Sequence, residues 1–188
     1  MIKPGIRSIG IDDGPFDREG RGNVLVAGAI YQGGTLFDGL LTTVVRKDGW
    51  NATSRVCSMI LDSKFWKQLH YIILDGIAFG GFNLVDIERL HETTRLKVLV
   101  VVRRHPDMNA VGRAIHKLSN PAKRLDILEK AGEIHKIGKL YCQMKGMGEN
   151  EAQELLKLTC TRSNVPEPVR AAHLIAGGLT RGQSGRRA

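Results

Sequence analysis

Residues 72–103 read IILDGIAFGGFNLVDIERLHETTRLKVLVVVR, and their pattern decides the architecture. His70 to Leu74 is an apolar run that stops at Asp75-Gly76. An uninterrupted run of this length suits a strand covered on both faces, the usual state of a parallel strand. Asn83 to Glu92 places Leu84, Ile87 and Leu90 on one side and predicts a helix. Lys97 to Val102 is a second apolar run and ends at Arg103-Arg104. Strand, helix and strand at this spacing make a βαβ unit, whose crossover is expected to be right-handed.

Upstream of this unit the pattern is different. Ile6 to Asp12 predicts a strand running into the turn Asp13-Gly14-Pro15. Val24 to Tyr31 and Thr35 to Lys47 predict two more, separated by Gly33-Gly34. Their short connections favour an antiparallel meander. Thr53 to Leu61, with Val56, Met59 and Ile60, predicts a helix. Downstream, helices are expected at Met108 to Leu118, Pro121 to Ala131, Glu149 to Leu158 and Glu167 to Ala176. A small hairpin is expected about Gly138. Pro166 and Pro168 open the last helix and Gly177-Gly178 are expected to close it. The order β-β-β-α-β-α-β, then helices, is that of the ribonuclease H-like fold. It is an α/β mixed sheet of three antiparallel strands followed by a parallel βαβ unit, flanked by helices. Residues 1–179 are read as one domain, and the polar, basic stretch 180–188 as a mobile tail.

The net charge of +9 is unevenly spread. Residues 1–94 hold 10 Lys/Arg against 11 Asp/Glu, whereas residues 95–188 hold 18 against 8. A basic half attracts polyanions, so nucleic acid, DNA or RNA, is the expected partner. The alternative is a generic basic protein without such a partner. No apolar run approaches the roughly 18 residues of a membrane helix, and the opening MIKPGIRSIGIDDG contains no signal-peptide core. A cytoplasmic protein is therefore expected, with no membrane partner; its oligomeric state stays open. Cys57, Cys142 and Cys160 show no paired spacing, which argues against a disulfide framework or a zinc site. The six histidines show no ligand spacing either.

Two carboxylate positions carry the chemical interest. Asp12, followed by Asp13, closes the first predicted strand, and Asp75 closes the fourth. Sites in open sheets form beyond the carboxyl ends of parallel strands. If these two strands are neighbours, Asp12 and Asp75 face each other and repel unless a cation lies between them. Oxygen ligands favour magnesium or manganese, which support phosphodiester hydrolysis. The competing explanation is that these acids only form turns. Gly76 and Gly80 are expected to free backbone amides for a phosphate. Arg103 and Arg104 are expected to grip phosphate oxygens in the planar, forked manner of guanidinium groups.

Three stretches go beyond composition: IGIDDG at residues 9–14, residues 72–103, and NVPEPVRAAHLIAGG at 164–178. They resemble, in order, the first strand, the Asp-Gly strand with its glycine-rich loop, and the late Pro-Glu-Pro-x-Arg-x-Ala-His/Asp helix of endonuclease V. The closest resemblance, from GIDDGPFDR through LDGIAFGGFN and RRHPDM to PEPVRAAHLIAGG, is to an archaeal family known as domain of unknown function 99. This implies an endonuclease V-like fold, Asp12 and Asp75 as metal ligands and catalytic carboxylates, and Arg103 near the phosphate. It implies a magnesium-dependent nuclease, or a nucleic-acid-binding protein on an inactivated nuclease fold. Two departures stand out. The glutamate that endonuclease V carries before the Asp75-type strand has no counterpart in Asp48-Gly49-Trp50-Asn51-Ala52-Thr53-Ser54-Arg55, where Asp48 is the nearest carboxylate. Asp13, Asp48 or Asp86 is left to complete the site. The Pro-Tyr-x-Pro wedge of that family is missing too. Glu167 and Arg170 are expected to serve the last helix structurally.

Overall fold

The structure, a computed structural model, describes residues 1–17 and 19–185. Three strands form the expected meander: β1 (Arg7–Asp13), β2 (Asn23–Gln32) and β3 (Leu36–Arg46). Helix α1 (Ala52–Leu61) and a 3-10 turn (Trp66–Gln68) lead to β4 (Tyr71–Asp75), which pairs with β1 in parallel. A two-strand hairpin, β5 (Ala78–Phe79) and β6 (Asn83–Leu84), precedes α2 (Ile87–Thr94) and β7 (Lys97–Val102). β7 lies parallel to β4, which completes the βαβ unit. Then come α3 (Met108–Ile115), α4 (Pro121–Lys130), the hairpin β8 (His135–Ile137) and β9 (Leu140–Lys145), α5 (Glu149–Thr159) and α6 (Glu167–Arg181). Among the described residues the main sheet has seven strands in the order β3-β2-β1-β4-β7-β9-β8.

The sheet is covered on both sides, and strand alternation assigns residues to each. Ile9 and Ile11 of β1, Ile72 and Leu74 of β4 and Val98 and Val100 of β7 pack with Val56 and Ile60 of α1 and Leu90 of α2. Tyr71 and Ile73, with Leu99 and Val101, pack with Leu155 and Leu156 of α5 and Val169 of α6. Asp12 and Asp75 follow the second alternation, so both belong to the α5–α6 side.

The position of α6 follows from small residues. A Cβ on Gly10 would collide with the backbone of Pro168 and Val169 in the first turn of α6. Two residues further along β1 is Asp12, and two beyond that is Gly14, where a Cβ would come within 2.6 Å of Thr180 Oγ1 and 3.2 Å of the Ala176 carbonyl. Strand and helix therefore run side by side in the same direction. Ala29 of β2 with Ala171 and Ala172 continues this close seam.

Two boundaries differ most from the sequence expectation. The helix predicted from Asn83 starts at Ile87, because Asp86 caps it by accepting the Arg89 amide at 2.9 Å, and because Asn83 and Leu84 pair with the preceding loop. The last helix does not stop at Gly177-Gly178. It continues to Arg181 and ends at Gly182, whose φ of 75° is left-handed. Glycine is tolerated inside this helix because its last turns stay anchored on Gly14. Of the expected tail, Thr180 and Arg181 belong to the helix, and residues 186–188 lie outside the described residues. No helix among the described residues is long and apolar enough to cross a membrane.

Candidate metal centre

The parallel register of β1 and β4 pairs Ile11 with Leu74, so the next residues, Asp12 and Asp75, stand level at the carboxyl ends of neighbouring strands. α6, guided along β1 by Gly10 and Gly14, sets His173 above them. One donor atom from each of Asp12, Asp75 and His173 lies within 4.8 Å of the other two. This is the cluster of metal-binding side chains found among the described residues. Asp12 is only 5% exposed. Its Oδ2 is 2.7 Å from His173 Nδ1, and its Oδ1 accepts the Asp13 amide at 2.8 Å.

Burial raises the Asp12 carboxyl to about 7, helped by repulsion from Asp75 and Asp13 and opposed by the His173 hydrogen bond. Asp75 is also raised by burial, and the charges of Arg103 and His173 counteract this. Asp13 is raised by burial, against the hydrogen bond it accepts from Gly80. Three neighbouring acids that resist ionisation form an environment short of positive charge. A divalent cation fits it: two carboxylates supply hard oxygen donors and an imidazole supplies nitrogen. The donor set is thus not the all-oxygen set expected from sequence.

Asp13 and Asp48 do not join that cluster. Asp13 Oδ2 accepts the Gly80 amide at 2.6 Å, and Asp48 Oδ1 accepts the Phe82 amide at 2.8 Å. Both carboxylates fasten the loop after β4. The expected phosphate cradle is not formed by the amides of Gly76 and Gly80. The Gly76 amide donates to the Val101 carbonyl at 3.0 Å, and the Gly80 amide is taken by Asp13. These glycines serve the turn, with φ of 78° and 58°. Asp86 caps α2 and is likewise outside the cluster. Arg103 and Arg104 are exposed beyond β7, and Arg103 is near enough to act on Asp75. Glu167 and Arg170 form an ion pair within α6, 2.7 Å between Oε2 and a guanidinium nitrogen.

His173 is the residue that sequence spacing missed. Its partners come from β1 and β4, so no local His-x-His pattern announces it. The available signal was its place as the last residue of the Pro-Glu-Pro-x-Arg-x-Ala-His motif.

The chain is 47% identical over 188 residues to a UPF0215 protein of Methanothermobacter thermautotrophicus, covering 98% of this chain and 92% of the relative. A crystallographically determined protein of Archaeoglobus fulgidus matches with a TM-score of 0.87 and 42% identity, over 93% of this chain and 98% of that one. Endonuclease V of Ciona intestinalis, in complex with a 24mer DNA containing an inosine followed by a ribo-adenosine, matches with a TM-score of 0.55 at 15% identity, over 89% and 82%. That similarity establishes an endonuclease V-like fold, as expected from the three sequence stretches. The model of the Endonuclease dU family matches residues 4–180, and the chain belongs to that family.

Proposed function

We propose that this protein is a divalent-metal-dependent endonuclease that hydrolyses a phosphodiester bond in DNA at a deoxyuridine. The observation that carries this reading is the convergence of Asp12, Asp75 and His173 within 4.8 Å at the ends of two parallel strands. The family description supplies the deoxyuridine, and the DNA-bound endonuclease V neighbour supports DNA as the polymer. The charge excess of residues 95–188 agrees with a polyanionic substrate.

Asp12, Asp75 and His173 would hold magnesium or manganese. When bound, such an ion activates water and stabilises the leaving oxygen. The protein's own groups do the rest. Asp12 accepts two hydrogen bonds, one from the Asp13 amide and one from the His173 ring, so its carboxylate enters the reaction already oriented. Arg103, exposed and close enough to influence Asp75, binds the scissile phosphate and offsets its charge. Arg104 extends the same basic edge. In hydrolysis the water oxygen bonds to phosphorus, the bond to the leaving sugar oxygen breaks, and the water supplies the proton that oxygen needs.

An inactivated binder has no use for a buried acid set against a half-buried one, since bringing two carboxylates together away from water destabilises the fold. That favours the enzyme. The test is cleavage of end-labelled DNA containing one deoxyuridine, with magnesium or manganese, by the wild type, Asp12→Asn and Asp75→Asn. Metal-dependent cleavage by the wild type alone is expected. No cleavage by the wild type with either ion, or equal cleavage by both variants, would overturn the reading.

A further inference from the structure

An open cavity of about 700 Å³ is lined by Phe16, Lys47, Asp48, Phe82, Arg113 and Lys117 among others. This size falls within the roughly 300–1,000 Å³ of ordinary ligand sites. The cavity is one loop away from the acids. Gly81 and Phe82 form part of its wall, and the preceding Gly80 is hydrogen-bonded to Asp13, the neighbour of Asp12.

The lining has a distinctive chemistry. Two phenyl rings provide flat apolar surface. Arg113 of α3 and Lys117 in the turn after it are four residues apart and share one side. A single carboxylate, Asp48, completes the wall, and the fold holds it firmly. Its backbone is left-handed, with φ of 50°. Its amide donates to the Gly80 carbonyl at 2.8 Å, and its carbonyl accepts from Arg124 at 2.5 Å. Its Oδ1 accepts the Phe82 amide, while its Oδ2 takes no hydrogen bond among the described residues. A residue held in a sparsely populated backbone region by several bonds is a mark of functional placement.

We propose that this cavity receives one unstacked base of the bound strand. Phe16 and Phe82 flank the ring, as aromatic side chains do for extruded or single-stranded bases. Arg113 and Lys117 bind the adjoining phosphates. Asp48 Oδ2 accepts a ring N–H, and so selects bases that carry one, such as uracil, over cytosine and adenine, which present a bare ring nitrogen there. An ionised carboxylate accepts hydrogen bonds and donates none, so the wrong base places two acceptors against each other. This inference rests on the reading of the protein as a DNA-binding nuclease, and it assigns the specificity of that reading to named residues.

The test separates binding from cleavage. Fluorescence anisotropy in EDTA, which prevents metal-dependent cutting, compares a labelled single-stranded oligonucleotide carrying one deoxyuridine with the same strand carrying N3-methyldeoxyuridine. Methylation replaces the ring N–H with a methyl group and leaves the rest of the base unchanged. The wild type is expected to bind the deoxyuridine strand about tenfold more tightly, because a site built to hydrogen-bond a group rejects the analogue lacking it. Asp48→Asn keeps the Oδ1 acceptor for Phe82 and suits the left-handed backbone, which asparagine adopts readily. It presents an amide N–H₂ in place of Oδ2 and is expected to abolish the preference in a protein that still melts cooperatively, at a somewhat lower temperature because the charge facing buried Arg124 is gone. Phe16→Leu is expected to weaken both strands alike. Equal affinity of the wild type for the two strands, absence of binding included, would overturn the proposal, as would a preference that survives Asp48→Asn. A wild type that shows the preference yet cuts nothing with manganese would instead sink the nuclease reading and leave the cavity assignment standing.

Discussion

His173 Nδ1 lies 2.7 Å from Asp12 Oδ2, although 161 residues separate them in the chain. The contact exists because α6 runs alongside β1 in the same direction, with Gly10 and Gly14 admitting the helix on either side of Asp12. The same geometry that lets the helix approach thus sets the imidazole on the carboxylate and completes the three-donor cluster.

Replacing His173 with alanine removes both a donor and the hydrogen bond that favours the charged form of Asp12. Manganese affinity, measured by calorimetry, is expected to fall at least tenfold. His173→Asp restores a ligand atom and is expected to recover much of the affinity, since carboxylates suit both magnesium and manganese. Full affinity in His173→Ala would remove the imidazole from the site.

The acids also govern how the metal-free fold responds to pH. Asp12 is raised from an ordinary value of 3.8 to about 7 by burial, so between those values the folded protein holds a proton that the unfolded chain has lost. Stability therefore falls as pH rises through this window, by up to about 1.4 kcal/mol per unit for one such group. Asp75 and Asp13 shift the same way, both through burial. In EDTA the melting temperature is expected to be higher at pH 5 than at pH 8. Manganese should raise it more at pH 8, where protons no longer compete. A flat profile in EDTA would show that the carboxylates are solvated.

The parts of this design legible in the sequence are those encoded locally. Asp12 and Asp75 each close an apolar run before a turn, and a parallel arrangement of the two runs was enough to bring them together. The βαβ unit followed from the period change between Leu74, the Leu84–Leu90 stretch and Val98. His173 could not be placed from spacing because its position depends on the close passage of α6 over β1, which Gly10 and Gly14 permit. Asp13, Asp48, Gly76 and Gly80 were read as site groups because residue type alone does not reveal hydrogen-bond partners. In the fold the Gly76 and Gly80 amides, one Asp13 oxygen and Asp48 Oδ1 are taken up within the loops around Phe82 and Val101, which leaves Asp48 Oδ2 for the role proposed above.

Gly10 offers a direct test of how the helix is positioned. A methyl group there would run into the backbone of Pro168 and Val169, which cannot rotate away as a side chain can. Gly10→Ala is expected to destabilise by about 1–3 kcal/mol and to weaken manganese binding by moving His173. At Gly14 the nearest obstacle is the Thr180 hydroxyl, a side-chain atom able to turn aside. Gly14→Ala is expected to be the milder change in both urea denaturation and calorimetry. The reverse ranking would mean that the Gly14 contact positions α6 more firmly than the Gly10 contact does.

Arg124 tests the independence of the metal cluster from the loops beside it. Its guanidinium is fully buried. It donates to the carbonyls of Phe82 at 3.1 Å, Ser119 at 2.5 Å and Asp48 at 2.5 Å, and stacks 3.9 Å from the centre of the Trp50 ring. One side chain thus ties α4 to the β3–α1 connection and to the loop after β4. Arg124→Met strands several buried carbonyls, each lost partner costing about 1–3 kcal/mol, so a loss of roughly 3 kcal/mol or more is expected in urea denaturation. Arg124→Lys is expected to recover only part of it, because one ammonium lacks the planar fork that spans separate carbonyls. Asp12, Asp75 and His173 rest on β1, β4 and α6, to none of which Arg124 hydrogen-bonds among the described residues. Manganese affinity of the folded Arg124→Met protein is therefore expected to stay within about threefold of the wild type, while the deoxyuridine preference assigned to Asp48 is lost because its carbonyl anchor is gone. Loss of metal affinity at the same time would show that the cluster and the Asp48 loop are one mechanical unit.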